Sequence, residues 1–324
     1  MNAIEVEDLK KTFPGGIEAV AGIDLVVGES EIVGFLGPNG AGKSTTTRIL
    51  TTLLRPTAGR ARVVGLDVAE HAAEVRRVIG VALQEAGLDP IATGREMLVL
   101  QARLHGMRGE EARRRAGEVL EIVGLSDAAD RRIRTYSGGM KRRLDLAGAL
   151  VHDPRVLFLD EPTTGLDVTS RHAIWEEVRR LNREEGMPVF LTTQYLEEAD
   201  RVVERVAIID HGHIVAQGTP DSLKASIGSD VVTVELPDGR PEEARSALSR
   251  LAGLRDLKIE PSGLTLFVND GQGAVANAIR LLDDASVPVG AVAVSRPTLD
   301  EVFLRATGSR IEGTRPAETG EEET

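Results

Sequence analysis

The chain contains no cysteine and few aromatic residues. Without cysteine it can form neither a disulfide nor a thiolate metal site. Aromatic side chains make up 3% of the 324 residues, which argues against a protein that stacks the bases of single-stranded nucleic acid on its rings. The net charge of −12 argues against nucleic acid or an anionic lipid surface as the main partner, so no nucleic-acid partner is expected.

Long hydrophobic runs are also missing. No stretch approaches the roughly 18 apolar residues of a membrane-spanning helix, and residues 1–11 are mixed and charged, without the apolar segment of a signal peptide. If the chain serves a membrane process, we expect a separate subunit to cross the bilayer. The apolar fraction of 41% is ordinary for a globular protein, and the length suits two domains.

Alternating strand and helix signals predict an α/β fold with a parallel sheet in the first two thirds of the chain. The short apolar run at residues 32–36 reads as a buried strand, and a helix is predicted over residues 43–54. Residues 94–151 are helical in pattern. Further strands are predicted at residues 155–160, 188–193 and 206–210.

From about residue 225 the pattern changes to that of a small α+β unit. Strands are predicted at 231–236, 255–260, 264–268 and 289–294, and helices near 241–252 and 272–285. Residues 308–324 have almost no apolar content and carry three glutamates at 321–323, which predicts an acidic, disordered tail. The predicted domains are residues 1–224, with a helical subdomain at about 85–152, then an accessory domain at 225–307 and the tail at 308–324.

A glycine-rich segment between the strand at 32–36 and the following helix matches the pattern G-x-x-x-x-G-K-[ST]. Its glycines allow backbone N–H groups to turn inward and cradle phosphate, next to the positive end of the helix. Lys43 is expected to reach the β- and γ-phosphates, and the Ser44 hydroxyl to bind Mg²⁺. The alternative, a chance glycine-rich turn, is disfavoured by this context. The predicted nucleotide-binding residues here are Gly37, Pro38, Asn39, Gly40, Ala41, Gly42, Lys43, Ser44 and Thr45.

A second apolar strand ends in two carboxylates, Asp160 and Glu161. At the end of a strand beside a phosphate loop, the first carboxylate can hold Mg²⁺ through water, and the second can take a proton from an attacking water. An ordinary strand followed by an acidic turn is the alternative for this run alone. The phosphate loop upstream makes the catalytic interpretation the better one.

The segment Ser137-Gly138-Gly139 begins a helix and presents a side-chain cap and free N–H groups that suit an anion. In this helix Met140, Leu144, Ala147 and Val151 are expected on one face, with Lys141, Arg142 and Arg143 leading the other. Taken alone, such a segment is more often a simple helix cap.

These three motifs together resemble the ATP-binding subunits of ABC transporters, over about residues 2–222. The resemblance implies a P-loop NTPase fold, an ABC nucleotide-binding domain with a parallel core sheet, an antiparallel β subdomain and a helical subdomain. It implies ATP and Mg²⁺ as ligands. It also implies a homodimer of nucleotide-binding domains, in which the P-loop of one subunit faces Ser137, Gly138 and Gly139 of the other, while Lys43 and Glu161 act in catalysis.

The resemblance assigns four further positions. Phe13 matches the aromatic residue that stacks on adenine, with a core phenylalanine as the alternative. Gln84 matches the glutamine that touches Mg²⁺ and water, and Gly165-Leu166-Asp167 matches the loop that crosses the dimer interface. Gln194 stands where the family usually has a catalytic histidine. Its amide can hydrogen-bond a γ-phosphate, but it cannot become cationic near neutral pH.

Three segments, at residues 135–150, 192–200 and 300–304, are similar to the daunorubicin-resistance ATP-binding subunits of actinobacterial drug exporters. This similarity implies that the chain powers export of a hydrophobic, drug-like compound through a separate transmembrane permease, from the cytoplasmic side of the cell membrane. Export of a lipid, polysaccharide or peptide is an alternative. A soluble ABC ATPase outside transport is another, although a single P-loop and the lack of a heptad run argue against it. His211 and His213 are interpreted as flanking a surface turn.

Overall fold

The computed structural model describes residues 2–83, 87–193, 195–227, 230–237 and 240–308. The chain forms two compact units, one of Met1–Gln194 with Arg201–Val215 and one of Tyr195–Asp200 with the residues from Ala216 onward. Gln84, Gln194 and residues 309–324 of the predicted tail lie outside the described residues. Within the described ranges no helix has the length and apolarity needed to cross a bilayer.

The elements up to residue 227 alternate between strands and helices. The strands are β1 (Asn2–Phe13), β2 (Ile17–Gly28), β3 (Ile32–Leu36), β4 (Ala58–Val63), β5 (Leu66–Asp67), β6 (Ile79–Ala82), β7 (Val156–Asp160), β8 (Val189–Thr193), β9 (Arg205–Asp210) and β10 (His213–Gly218). The helices are α1 (Lys43–Leu50), α2 (Ala72–Val78), α3 (Gly94–Leu104), α4 (Gly109–Ile122), α5 (Gly138–Leu150), α6 (Val168–Glu185), α7 (Leu196–Val202) and α8 (Pro220–Ile227), with short 3₁₀ helices at Ser126–Ala128 and Ile133–Thr135.

The main sheet of the first unit has the strand order β10-β9-β3-β8-β7-β6. Strands β9, β3, β8, β7 and β6 run parallel. Every residue of β3, β7 and β8 is buried, as expected for strands that are covered on both faces, and apolar residues follow one another without alternation until polar residues end β7 and β8. Because parallel strands point the same way, the carboxyl ends of β3, β7 and β8 lie at one edge of the sheet. This geometry positions the site.

A second, antiparallel sheet with the order β2-β1-β4-β5 packs against the main sheet. Its buried side chains, among them Leu9 and Ile23, share one apolar core with Phe35, Phe158 and Phe190 of the parallel strands. Helices α3, α4 and α5 form the helical part of this unit. The predicted fold class, a parallel core sheet with an antiparallel β subdomain and a helical subdomain, is confirmed.

Helix α1 is shorter than predicted, since it ends at Leu50 and not near residue 54. Thr51 is its C-cap residue, and Thr52 has a φ of 64°, which is left-handed backbone that terminates the helix. The N–H groups of Leu53 and Leu54 both donate to the carbonyl of Arg48. The chain therefore turns away from the helix axis at Thr52.

The second unit contains an antiparallel sheet with the order β12-β13-β11-β14, and two helices cover one face of it. Its elements are β11 (Asp230–Glu235), α9 (Pro241–Leu248), β12 (Leu254–Glu260), β13 (Gly263–Val268), α10 (Gly271–Asp284), β14 (Val292–Ser295) and α11 (Leu299–Thr307). Val232, Val234 and Leu266 of the sheet pack with Leu248 of α9 and Leu282 of α10. The α+β character predicted for this part is confirmed, although β14 begins later than residue 289.

Candidate active site

The glycine-rich loop connects β3 to α1, and its backbone conformation requires glycine at two positions. Gly40 has a φ of 82° and Gly42 a φ of 115°, both in the left-handed region. A Cβ atom on Gly42 would also lie 2.4 Å from the carbonyl oxygen of Ala19. These glycines therefore allow the loop to wrap around the N-terminus of α1, where free N–H groups favour an anion.

The side chain of Lys43 is folded into this loop. It is 5% exposed, and its Nζ donates hydrogen bonds to the carbonyls of Gly37, at 2.7 Å, and Pro38, at 3.0 Å. Burial lowers the pKa of Lys43, and the nearby charges of Glu161 and Asp160 oppose that shift. The ammonium group is thus held by loop carbonyls on the side where phosphate is expected.

A cavity of about 370 Å³ opens between the loop and the end of β7. It is lined by Asn39, Gly40, Gly42, Lys43, Ser44, Thr45, Glu161 and Thr164. The structure thus brings most of the predicted phosphate-binding residues to one space together with the predicted general base. Thr164 is an addition that the sequence did not suggest.

The carboxylate of Asp160 is held by β8. Asp160 is the last residue of β7, and it lies in register with Thr192 of the neighbouring parallel strand. Thr192 Oγ1 donates a 2.5 Å hydrogen bond to Asp160 Oδ1. Asp160 is 6% exposed and Thr192 is fully buried, so this bond is shielded from water.

Glu161 has an uncommon backbone conformation. Its φ is 50°, which costs a residue other than glycine about 1–3 kcal/mol and persists where the surroundings impose it. Its N–H group lies 3.1 Å from both the carbonyl oxygen and the hydroxyl of Thr192, and the Thr164 hydroxyl donates to Glu161 Oε2 at 3.2 Å. These contacts hold the Glu161 carboxylate at the cavity beside the P-loop.

Arg142 is a buried residue that the sequence interpretation placed wrongly. It was expected on the polar face of α5, but it is 9% exposed. Its guanidinium donates to the backbone carbonyls of Leu83, Asp160 and Pro162, and it pairs with Asp145 at 3.1 Å. A helical pattern marks only apolar residues as buried. A guanidinium can also be buried when several fixed carbonyl groups accept its hydrogen bonds in place of water, and an apolar periodicity does not reveal this.

The segment at Ser137 begins α5 as predicted. Ser137 Oγ accepts a 3.2 Å hydrogen bond from the N–H of Met140 and so caps the helix. Ser137 and Gly138 are exposed, while a Cβ on Gly139 would lie 2.3 Å from Ser170 Oγ. Residues 137–139, all of them described, do not line the P-loop cavity of their own chain.

Two further predicted positions, Phe13 and Asp167, are not among the residues that line this cavity. Phe13 is half-buried at the end of β1, outside the buried core, and the ammonium of Lys11 lies 5.4 Å from its ring centroid. Asp167 caps α6 by accepting the N–H of Ser170 at 3.0 Å. The predictions for Gln84 and Gln194 fall outside the described residues. The turn between His211 and His213 is confirmed, since β9 ends at Asp210 and β10 begins at His213.

A buried strand, a glycine loop around a helix N-terminus, and two carboxylates at the end of a nearby parallel strand together define a P-loop nucleotide-binding domain. Comparison with known proteins refines this class. The profile of the ABC transporter family matches residues 20–164. The profile of the C-terminal domain of DrrA1-3-like ATP-binding proteins matches residues 218–307.

Relatives extend over nearly the whole chain. The daunorubicin/doxorubicin resistance ATP-binding protein DrrA of Streptomyces peucetius is 46% identical over 99% of this chain and 97% of its own length. The Nod factor export ATP-binding protein I of Paraburkholderia xenovorans is 42% identical over 96% and 98%. The dimeric, post-hydrolysis structure of the ATP-binding cassette MJ0796 with ADP and Pi is 29% identical, with a TM-score of 0.62 over 67% of this chain and 98% of that one. The chain therefore belongs to the family of ABC transporter ATP-binding proteins, which makes it an ABC-type ATPase.

Proposed function

We propose that this chain binds and hydrolyses ATP to drive an export complex whose channel lies in a separate membrane subunit. The observation that carries the proposal is the position of Glu161, which lines the same cavity as the P-loop residues Lys43 and Ser44. A carboxylate beside a phosphate site is placed to take a proton from the water that attacks the γ-phosphate. Most of the remaining catalysis is positioning and charge stabilisation by the loop.

The residues at the cavity also suit a magnesium ion. A serine hydroxyl and a carboxylate are hard oxygen ligands, which Mg²⁺ prefers together with phosphate oxygens and water. Ser44 lines the cavity, and Asp160 ends the strand beside it with Oδ1 held by Thr192. When bound, Mg²⁺ would neutralise charge on the phosphates. We assign Ser44 and Asp160 to its binding, with Gln84 as a further contact.

We assign the contacts to the bound nucleotide as follows. The loop from Gly37 to Thr45 binds the phosphates, and Phe13 stacks on the adenine. The amide of Gln194 hydrogen-bonds the γ-phosphate in place of the usual histidine. The phosphate assignment rests on the match between the sequence motif and the P-loop geometry. The assignments of Phe13 and Gln194 rest on the family resemblance of the sequence around them.

The complete site is proposed to need two copies of the chain. Ser137 and Gly138 are exposed at the start of α5, and the segment lies outside the lining of its own P-loop cavity. An exposed helix N-terminus with a serine cap suits the γ-phosphate of a nucleotide held by a second subunit. The related cassette MJ0796 was solved as a dimer. We therefore propose a homodimer that encloses two ATP molecules.

The names of the relatives support an export role and suggest two classes of cargo. The 46% identical relative is named for daunorubicin and doxorubicin resistance, which favours a hydrophobic drug as cargo. The 42% identical relative is named for Nod factor export, which keeps another exported compound as the alternative. With the permease in the membrane, the chain would act at the cytoplasmic face of the bilayer.

The experiment that tests this function joins hydrolysis to transport. The tagged chain is purified from native membranes, its co-purifying membrane protein is identified, and both are expressed in a doxorubicin-sensitive host. We expect the pair to lower cellular doxorubicin fluorescence, and the Lys43→Ala variant to abolish that effect and ATP hydrolysis together. Hydrolysis without drug efflux would reject the cargo. A wild-type chain without ATPase activity would reject the function.

A further inference from the structure

Arg142 connects three separate segments around the carboxylate loop. Its Nε donates to the carbonyl of Pro162 at 2.8 Å, its Nη2 to that of Asp160 at 3.0 Å, and its Nη1 to that of Leu83 at 2.5 Å. The acceptors belong to the ends of two parallel strands and to the loop that follows β7. One rigid, planar side chain from α5 thus anchors two stretches of backbone, at Leu83 after β6 and at residues 160–162 at the end of β7.

The two acceptors at residues 160 and 162 flank Glu161. Glu161 has a φ of 50°, a conformation that the surrounding structure must impose. The Asp160 carbonyl belongs to the peptide group that precedes Glu161, and the Pro162 carbonyl belongs to the peptide group that follows the proline, so Arg142 anchors the backbone on both sides of Glu161. Arg142 thereby fixes the direction in which the Glu161 side chain leaves the backbone.

The other end of this arrangement lies in the first turns of α5. Arg142 follows the exposed cap residue Ser137 by little more than one helical turn, and Asp145 holds its Nη1 at 3.1 Å on the same helix. Leu83, the third acceptor, directly precedes Gln84 in the chain. The guanidinium therefore ties the start of α5 and Leu83 to the backbone on both sides of Glu161.

We propose that Arg142 is a positioning residue for hydrolysis, which sets the Glu161 carboxylate toward the attacking water and makes that setting depend on the start of α5. The inference rests on the proposed role of Glu161 as the general base. A catalytic group that is misplaced by about 1 Å loses up to about a hundredfold in rate, while nucleotide binding by the P-loop does not depend on it. Loss of Arg142 should therefore act on kcat and leave KM for ATP in place.

The first test compares two arginines of one helix. Arg142→Lys keeps the charge but cannot bridge three carbonyls. The matched control is Arg143→Lys, because Arg143 donates to the carbonyls of Val123 and Gly124, at 3.2 and 3.3 Å, away from the carboxylate loop. We expect Arg142→Lys to lower kcat by about tenfold or more with KM within about twofold, and Arg143→Lys to keep both values near those of the wild type.

The second test shows whether Arg142 acts through Glu161. In a Glu161→Gln background the base is already gone, so Arg142→Lys should cause no further fall in the residual turnover. If the two losses multiply, or if Arg143→Lys reduces kcat as much as Arg142→Lys, the role is structural and the proposal is overturned. A kcat of Arg142→Lys within about twofold of the wild type also overturns it.

A folding control and a substitute variant make the kinetic comparison interpretable. Thermal unfolding of each variant establishes that equal amounts of folded protein are compared. If Arg142→Lys does not fold, Arg142→Gln, which can still donate to two carbonyls, takes its place with the same expected split between kcat and KM. An unchanged turnover in Glu161→Gln alone would instead refute the proposed general-base role of Glu161, on which this inference rests.

Discussion

The hydroxyl of Thr192 donates a 2.5 Å hydrogen bond to Oδ1 of Asp160, and both groups are shielded from solvent. The same hydroxyl accepts the N–H of Glu161 at 3.1 Å. One side chain on β8 therefore links the residue assigned to Mg²⁺ and the residue assigned to the attacking water. This bridge depends on the register of β7 with β8, in which Asp160 lies beside Thr192.

Replacing Thr192 by valine removes the bridge while nearly preserving the side-chain shape. A hydrogen bond to a charged group contributes about 1.5–3 kcal/mol, so we expect Thr192→Val to lower turnover by about tenfold to a hundredfold and to reduce the free energy of unfolding by about 1–3 kcal/mol. The Mg²⁺ concentration needed for half-maximal activity should rise. Thr192→Ser, which keeps the hydroxyl, is the control and should recover most of the activity. Full turnover in Thr192→Val would show that the bridge has no catalytic consequence.

Glu161→Gln tests the general base. The amide keeps the length of the side chain but cannot take a proton from water, so we expect turnover at saturating Mg-ATP to fall by at least about a hundredfold. Binding of ATP, measured by equilibrium titration, should remain close to that of the wild type, because the P-loop is unchanged. Glu121→Gln on the exposed face of α4 is a matched control with normal turnover expected. Near-normal hydrolysis by Glu161→Gln would remove this residue from the mechanism.

The composite site makes a prediction about mixtures. If Ser137 contacts a nucleotide that the other subunit holds, Ser137→Arg should abolish hydrolysis without weakening ATP binding by the monomer. Lys43→Ala should abolish hydrolysis by damaging the P-loop in its own chain. A mixed dimer of the two variants retains one intact site, so we expect the mixture to regain part of the activity in a steady-state assay. Weakened ATP binding by the Ser137→Arg monomer would place Ser137 in the pocket of its own chain.

The phosphate loop and the carboxylates could be predicted from sequence because each is a local pattern. A loop such as residues 37–44 can be recognised from its own residues, and the pair Asp160 and Glu161 can be recognised at the end of its apolar strand once that loop is known. Thr192 and Arg142 could not be found in this way. The function of the Thr192 hydroxyl depends on strand register, and the burial of Arg142 depends on carbonyl groups contributed by residues far away in the chain.

The strands also divide into those that could be predicted from sequence and those that could not. Strands β3, β7 and β8 were predicted within a residue or so, because they are buried on both faces and read as apolar runs. Strand β4 was missed since it carries two exposed or half-exposed arginines, Arg60 and Arg62, and it is fixed by antiparallel pairing with β1. Such a strand is specified by its partner more than by its own composition.

The last prediction concerns Asp145, whose side chain is 14% exposed and pairs with Arg142. Burial raises the pKa of Asp145 from 3.8 to about 6, and the charge of Arg142 only partly opposes this shift. Between those two pH values the folded protein holds a proton that the unfolded chain releases. The contribution of this group to stability is therefore largest below about pH 4 and is lost as the pH rises through 6.

Asp145→Asn removes the pH dependence that comes from Asp145. It leaves the other titrating groups in place, including His105 and His152, which line a cavity together with Asp145. We therefore expect the free energy of unfolding of Asp145→Asn, relative to the wild type, to increase between pH 4 and pH 7 by up to about 3 kcal/mol, since each pKa unit corresponds to about 1.4 kcal/mol. The difference should level off above about pH 7. Urea unfolding followed through the fluorescence of Trp175, the single tryptophan, reports on this unit. A difference that stays constant between pH 4 and pH 7 would show instead that Arg142 holds Asp145 ionised, with a pKa that is not raised above its ordinary value.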